Sequence, residues 1–363
     1  MRLKTNSLYL SILFGFLVTT LYGAAPTLQS FTTIKTIAST VPGNGDVNPY
    51  GVAIVPVTTG SLVAGDILVS NFNNSANLQG TGTTIVQISP AGSVTVFATI
   101  TQNSLPTPCP GGIGLTTALA ALQSGFVVVG SLPTTDGTSA TAMAGCLIVL
   151  DSSGKAVLTL SGAPINGPWD MYAVDSGTTA TLFVSNVLNG TVGANGNVVD
   201  QGSVVRIVLQ TPSGFTPQVL SSTVIAGAFP EKTDPDALVI GPTGLALDSN
   251  GVLYVADTLG NRIAAITHAL TRTTDAGAGT TVSHRGFLNM PLGLEIAHDG
   301  DILTVNAGDG NIVETTIGGI QTGSEAIDVS NQGGGTLFGL AIGQPHMGLY
   351  YVDDGNNTLN LLH

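Results

Sequence analysis

Six positions recur along the chain with residue types suited to binding. Asn71, Gly130, Asn186, Asp257, Asn306 and Asp353 are separated by 59, 56, 71, 49 and 47 residues. Each ends an apolar run, as in Val69-Ser-Asn71 or Tyr254-Val-Ala-Asp257. Five of the six carry a side-chain oxygen, and such oxygens gathered round one axis can coordinate Ca²⁺ or hold a hydroxylated ligand. Asn and Asp also accept backbone N–H bonds from their own loops, and that capping role is the favoured reading. Asp257, four residues ahead of Asn261-Arg262, is well placed for it.

Two further carboxylates interrupt a repeated pattern. Pro242-Thr-Gly-Leu-Ala246 recurs as Pro49-Tyr-Gly-Val-Ala53 and as Pro291-Leu-Gly-Leu-Glu295. Glu295 therefore stands where Ala53, Ala246 and Ala341 stand, and Asp170, in Pro168-Trp-Asp170, stands where Gly244 and Gly293 stand. A carboxylate in a place that calls for a small residue must be paired, protonated or metal-bound. Trp169 and Tyr172 flank Asp170 and can wall a ligand. A site shared by Asp170 and Glu295 is the sharp expectation; a buried pair with arginine or backbone donors is the plainer one.

Other chemistry is excluded. His298 and His346 fall in first-to-second-strand turns on the opposite face, His268 and His284 in or near a third-to-fourth connection, and His363 ends the sequence; they do not converge, so a histidine zinc centre is not expected. No CxxCH, G-x-S-x-G or phosphate-cradling G-x-x-x-x-G-K-[ST] motif occurs. Asp353-Asp354 reads as a solvated turn. No catalytic set is assigned. Cys109 and Cys146 are the only cysteines and form a disulfide candidate.

The elements that must position these residues are short strands. Leu245–Leu247, Val252–Ala256 and Arg262–Ile266 read as three strands joined by the turn Asp248-Ser-Asn-Gly251 and the loop 257–261. The pattern recurs from Pro49, Pro291 and Gly339, and more loosely from Gly114 and Pro168. Fourth segments rich in Thr and Val follow at Ser93–Thr99, Ala156–Leu160, Gln218–Ser222 and, less clearly, Ala326–Val329. Six units of fifty-odd residues with four strands each fit the blades of a propeller. The motif Pro-x-Gly-Leu-Ala…Leu-Tyr-Val-Ala-Asp…Gly-Asn-Arg-Ile at 242–263 resembles the NHL-repeat family. That resemblance implies an all-β, six-bladed β-propeller and, at family level, a binding or interaction module. Some propellers of similar shape are metal-dependent lactonases that use Glu, Asn and Asp in the channel, roles that Glu295, Asn186 and Asp257 would mimic.

The sixth unit runs out of chain after Thr358–Leu362, whereas Ser30–Thr40 is a β-branched segment ahead of the first unit. The expectation is a last blade closed by an N-terminal strand, which removes an exposed edge. Arg2 and Lys4 precede an apolar stretch over Leu8–Leu21 and the small residues Gly23–Ala25, the layout of a signal peptide over 1–23 ahead of one propeller domain over 24–363. With 43% hydrophobic residues the chain can bury a core; its 9 Lys and Arg against 22 Asp and Glu, net −13, exclude an electrostatic nucleic-acid binder. The expected protein is a secreted or periplasmic monomer. It would bind a protein, glycan or small molecule without catalysis, with Ca²⁺ at the channel as the one cofactor considered. The alternative is a metal-dependent hydrolase or lyase with its site at the channel.

Overall fold

The computed structural model describes residues 27–343 and 348–363. The leader expected over 1–23, and His346, lie outside the described residues. The first strand, β1 (Ile34–Ser39), is followed by six radial sheets. Blade 1 is β2 (Val47–Ile54), β3 (Ile67–Asn73), β4 (Thr84–Ile88) and β5 (Val94–Thr99). Blade 2 is β6 (Leu115–Ala121), β7 (Val127–Ser131), β8 (Cys146–Leu150) and β9 (Ala156–Ser161). Blade 3 is β10 (Pro168–Asp175), β11 (Thr179–Asn186), β12 (Val199–Gln210), β13 (Gln218–Asp234) and a fifth strand, β14 (Leu238–Ile240). Blade 4 is β15 (Pro242–Leu247), β16 (Leu253–Asp257), β17 (Arg262–Ile266) and β18 (Thr280–His284). Blade 5 is β19 (Pro291–Ile296), β20 (Ile302–Asn306), β21 (Asn311–Thr315) and β22 (Gln321–Ala326). Blade 6 is β23 (Leu337–Ile342), β24 (Leu349–Asp353), β25 (Thr358–Leu362) and, at its rim, β1. The fold is the six-bladed β-propeller expected.

The middle strands explain why the repeat is legible. β16, β20 and β24 are buried at every residue, because both faces of a blade pack on its neighbours. They read as continuous apolar runs, whereas the outer β22 is never fully buried. At the axis the inner strands meet backbone to backbone. A Cβ on Gly244 would lie 2.2 Å from the Leu292 carbonyl oxygen, and one on Gly339 would lie 2.3 Å from that of Tyr50. Glycine is therefore a requirement of close approach there. The tight turn of blade 4 is held by Asp248, whose Oδ1 accepts the N–H groups of Asn250 and Val252, both at 2.9 Å; Gly251 supplies the left-handed φ of 76°.

One expectation is corrected and one loose match is explained. The fourth strand of blade 5 is Gln321–Ala326 rather than Ala326–Val329. Asp328 instead caps the next loop, accepting from Ser330 N and Gly333 N. Blade 2 matched loosely because its inner strand carries a wider bulge: Leu115 pairs with Ser131 and Leu119 with Val129.

Closure follows the expected route. β1 pairs antiparallel with β25 from Ile34↔Leu362 to Ser39↔Thr358. Thr32 and Thr33 donate to the His363 carbonyl, and Thr40 donates to that of Asn357. Upstream, Thr27 N donates to Glu314 Oε1 at 2.7 Å and Leu28 N to Oε2 at 3.0 Å, tying the strand to blade 5 as well. Cys109 and Cys146 form a disulfide across 37 residues, fixing the loop before β6 to the start of β8. Among the described residues no helix is long and apolar enough to cross a membrane, and the disulfide fits an oxidising, extracytoplasmic compartment.

A chain starting at residue 41 is expected to melt at least ~10 °C lower in calorimetry; unchanged melting would refute closure as a major stabiliser. Cys109→Ser with Cys146→Ser is expected to lose about 3–4 kcal/mol in urea titration, by the loop-entropy relation.

Candidate functional site

The Asn/Asp set is buried in its loops. Asn71, Asn186, Asp257, Asn306 and Asp353 are all 0% exposed, and none borders a channel cavity. Asn186 Oδ1 accepts from Asn166 N at 3.1 Å and Gly167 N at 2.9 Å, while its Nδ2 donates to the Pro164 carbonyl. Asn306 does the same with Asn289 N and the Phe287 carbonyl. Asp353 Oδ2 accepts from Val329 N and Ser330 N, and Asn71 Nδ2 donates to the Thr40 carbonyl. Asp257 accepts from Gly260 N and pairs with Arg262 Nε at 2.7 Å. In four of these five the partner is the segment entering the same blade's inner strand. The sixth member is Ser131, one residue beyond the expected Gly130; its Oγ accepts from Gly114 N and donates to the Gly112 carbonyl. It faces Leu115 as Asn186 faces Pro168.

The channel holds two cavities, one at each end of the inner strands. The upper, of about 760 Å³, is bordered by the starts of those strands and the loops above them. Its aromatic wall is Tyr50, Phe338 and Trp169. Tyr50 stacks on Phe338 at 3.8 Å, and Trp169 meets Tyr50 edge-on at 5.8 Å. Acceptors surround this wall: Asn48 Oδ1, Asn73 Oδ1 and Gln79 Oε1 are buried oxygens without a partner. Asp234, Asp236 and Asp354 add carboxylates, and among the described residues no Lys, Arg or His lines the cavity. Gln79 Nε2 reaches the Asp236 carbonyl at 3.0 Å, joining a blade 1 loop to the β13–β14 hairpin beside the mouth. Burial, then the charges of Asp353 and Asp328, lifts the Asp354 carboxyl to about 7. Burial, then Asp354, holds the Tyr50 phenol well above its ordinary value. The Asp353-Asp354 step is thus not a solvated turn: Asp353 is enclosed and Asp354 faces the cavity.

The lower cavity, of about 200 Å³, unites Asp170, Glu295 and Tyr172. Counting three residues back from each Asn, Asp or Ser cap fixes one level of the axis. There Ala53, Ala120, Ala246 and Ala341 pair with Leu68, Val128, Tyr254 and Tyr350. Tyr172, opposite Phe183, and Glu295, opposite Leu303, hold the two remaining places of that level. Asp170 takes the glycine place of blade 1: its N–H donates to Ser185 Oγ at 3.0 Å, as Gly51 N–H does to Ser70 Oγ at 3.0 Å. Burial raises Asp170 to about 7. Burial and then the Asp170 charge raise Glu295 to about 8. Tyr172 rises to about 12 through burial and then Glu295. The aromatic wall expected round Asp170 is corrected: Trp169 belongs to the upper cavity and Tyr172 to the lower, because a bulge between Pro168 and Asp170 and the strand's alternation part them.

One acidic triplet converges among the described residues, Asp299, Asp301 and Glu314. It lies in blade 5 away from the channel and holds Thr27 and Leu28. His298 Nε2 contacts the Gly343 carbonyl at 2.9 Å, while His284 ends β18 and His268 follows β17, so these rings stay apart.

No protein-family model and no curated protein sequence matches the chain. Solved structures do match in shape. A gluconolactonase from Xanthomonas campestris shares 15% identity over 91% of this chain and 88% of its own, with a TM-score of 0.54. A luciferin-regenerating enzyme shares 11% over 90% and 94%, with a TM-score of 0.55. A PQQ-bound aldose sugar dehydrogenase from Streptomyces coelicolor shares 15% over 91% and 98%, with a TM-score of 0.52. Likeness at this identity shows the propeller fold alone.

Asn306→Ala is expected to cost about 2–3 kcal/mol in urea titration, since it orphans buried donors and acceptors of the entering loop. Glu231, 0% exposed in β13, is raised to about 8 by burial, with Asn189 N as the partner of its Oε1 at 3.0 Å. The unfolded chain loses that proton near 4.3, so stability falls as pH rises from there to about 8. Glu231→Gln is therefore expected to raise Tm at pH 8.5 and to change it little at pH 4; an equal effect at both would oppose this.

Proposed function

We propose that the protein hydrolyses a small, hydroxyl-rich lactone or ester in the upper cavity. The observation that carries this reading is Asp354, a near-neutral carboxyl facing a ligand-sized cavity that has an aromatic wall and unpartnered oxygen acceptors. About 760 Å³ lies within the range of small-molecule sites. Acceptors without donors favour a ligand rich in hydroxyl groups, and aromatic faces favour the C–H faces of a sugar-like ring. The fold is one that a gluconolactonase also uses, which supports the substrate class without fixing it.

In the mechanism this geometry supports, Asp354 takes a proton from water as the water oxygen bonds to the acyl carbon. The C–O bond to the leaving oxygen then breaks, and Asp354 returns the proton to that oxygen. Tyr50, with its phenol held protonated, and the Asn48 amide are the donors beside this carboxyl. Among the described residues no three carboxylate, imidazole or thiolate groups converge in the upper cavity.

The second reading, a non-enzymatic module that binds an extracytoplasmic glycan or small molecule, rests on the same unpartnered acceptors. The two part in one experiment on the purified chain with sugar lactones and aryl esters. Hydrolysis is expected, with kcat/KM rising as pH rises through about 7, as for a base that must be ionised. Asp354→Asn is expected to lower kcat by ~10²-fold or more at similar KM, while Trp169→Ala raises KM. Saturable sugar binding by calorimetry with no turnover would overturn the hydrolase reading and leave the binding module.

A further inference from the structure

The lower cavity stands apart from this chemistry and does not depend on it. Four of the six residues at its alanine level are Ala, yet two carboxylates and a phenol enter the same 200 Å³. Asp170 comes from blade 3 and Glu295 from blade 5. Thr117, 5% exposed in the wider bulge of blade 2, borders the cavity, and its Oγ1 is buried without a partner. Among the described residues, the Glu295 carboxylate has only the N–H of the next residue, Ile296, and Asp170 has only that of Met171, at 2.7 Å. Among the described residues no Lys, Arg or His lines this space; its remaining walls are chiefly Ala, Leu, Ile and Val.

Two carboxylates facing one apolar space without a cation are costly. A donor set made only of oxygens matches hard cations. Ca²⁺ accepts six to eight such ligands in irregular arrangements, whereas Mg²⁺ demands a near-ideal octahedron that groups from three blades do not offer. The volume leaves room for several waters beside an ion. The cavity extends to the last residues of the inner strands, Ile54, Ala121 and Ile342, which gives an ion a way in from the lower face.

We propose that the lower channel binds a Ca²⁺-class cation between Asp170 and Glu295, with the Thr117 hydroxyl and water completing its shell and Tyr172 beside it. The ion would join blades 2, 3 and 5 across the axis, where the glycine and alanine contacts of the other blades are interrupted.

The probe is CaCl₂ itself, at 1 mM against EGTA, on the full purified chain at pH 8.5. Wild type is expected to gain ~2 °C or more in Tm and to retain about one Ca²⁺ per chain after dialysis, by elemental analysis. Asp170→Asn and Glu295→Gln are expected to lose both responses, whereas Asp299→Asn with Asp301→Asn keeps them. Tyrosine-sensitised Tb³⁺ luminescence that Ca²⁺ displaces, weakened in Tyr172→Phe, reports the same site if the carboxylate variants fail to fold. No calcium response in wild type would overturn the proposal. So would a response abolished by Asp299→Asn with Asp301→Asn, which would place the ion at the perimeter, or Tb³⁺ emission unchanged in Tyr172→Phe.

Discussion

The inner strands of this propeller touch through their backbones, and that contact governs the rest of the molecule. It admits no Cβ at Gly244, Gly293 or Gly339, and four alanines occupy the level below. A ring built this tightly has no room for a functional side chain unless the ring itself changes. It changes in three blades. Blade 2 widens its bulge, blade 3 replaces glycine with Asp170 and alanine with Tyr172, and blade 5 replaces alanine with Glu295. The lower cavity is what these departures leave. Position in the repeat, more than residue type, marks them as exceptions.

The same constraint decides what the sequence disclosed. Pro-x-Gly and the apolar middle strands repeat because packing imposes them in every blade, so blade number, strand order and the closing strand were all readable. Asp170 and Glu295 were readable as exceptions to a rule. The outer strand β22 was misplaced by several residues because an outer strand, packed on one face only, carries little apolar signal. The fifth strand of blade 3 was invisible, being three residues at the end of an arm with no counterpart elsewhere. The upper site was missed for a similar reason. Tyr50 lies in the variable position of Pro-x-Gly, Asn48 precedes that motif in β2, and Gln79 and Asp354 lie in loops whose lengths do not repeat. Asp353 and Asp354, adjacent in sequence, look like one acidic turn; only the register shows that the first ends a buried strand and the second enters the channel.

The cap residues link the two levels of organisation. By fixing the segments that enter Pro168, Pro291 and Leu337, Asn186, Asn306 and Asp353 set where each inner strand begins. Those starts border the upper cavity, so the positions of Trp169, Leu292 and Phe338 depend on side chains that do not border it. A residue set that resembles a binding ring by type thus acts as the scaffold of the real cavity, one layer outside it.

A shortage of cations sharpens this division. With 9 Lys and Arg for 22 Asp and Glu, ion pairing can satisfy few acids, and two ion pairs are formed among the described residues, Lys232–Asp234 and Arg262–Asp257. Most other carboxylates turn to backbone N–H and hydroxyl donors. Asp46 takes three from Thr83 and Thr84, Asp248 takes two within its turn, and Glu314 takes two from Thr27 and Leu28 in the helical turn ahead of β1. Such acids are structural because their lone pairs are already filled. Among the described residues Asp354 accepts no side-chain hydrogen bond, and Glu295 and Asp170 each accept only the N–H of the next residue; all three face cavities and all three are raised by burial. A fold this poor in cations leaves a buried acid three ways to become stable: a dense set of backbone donors, a proton, or something bound. The acids that lack the first are the ones where the second and third compete, and they sit at the two ends of the channel.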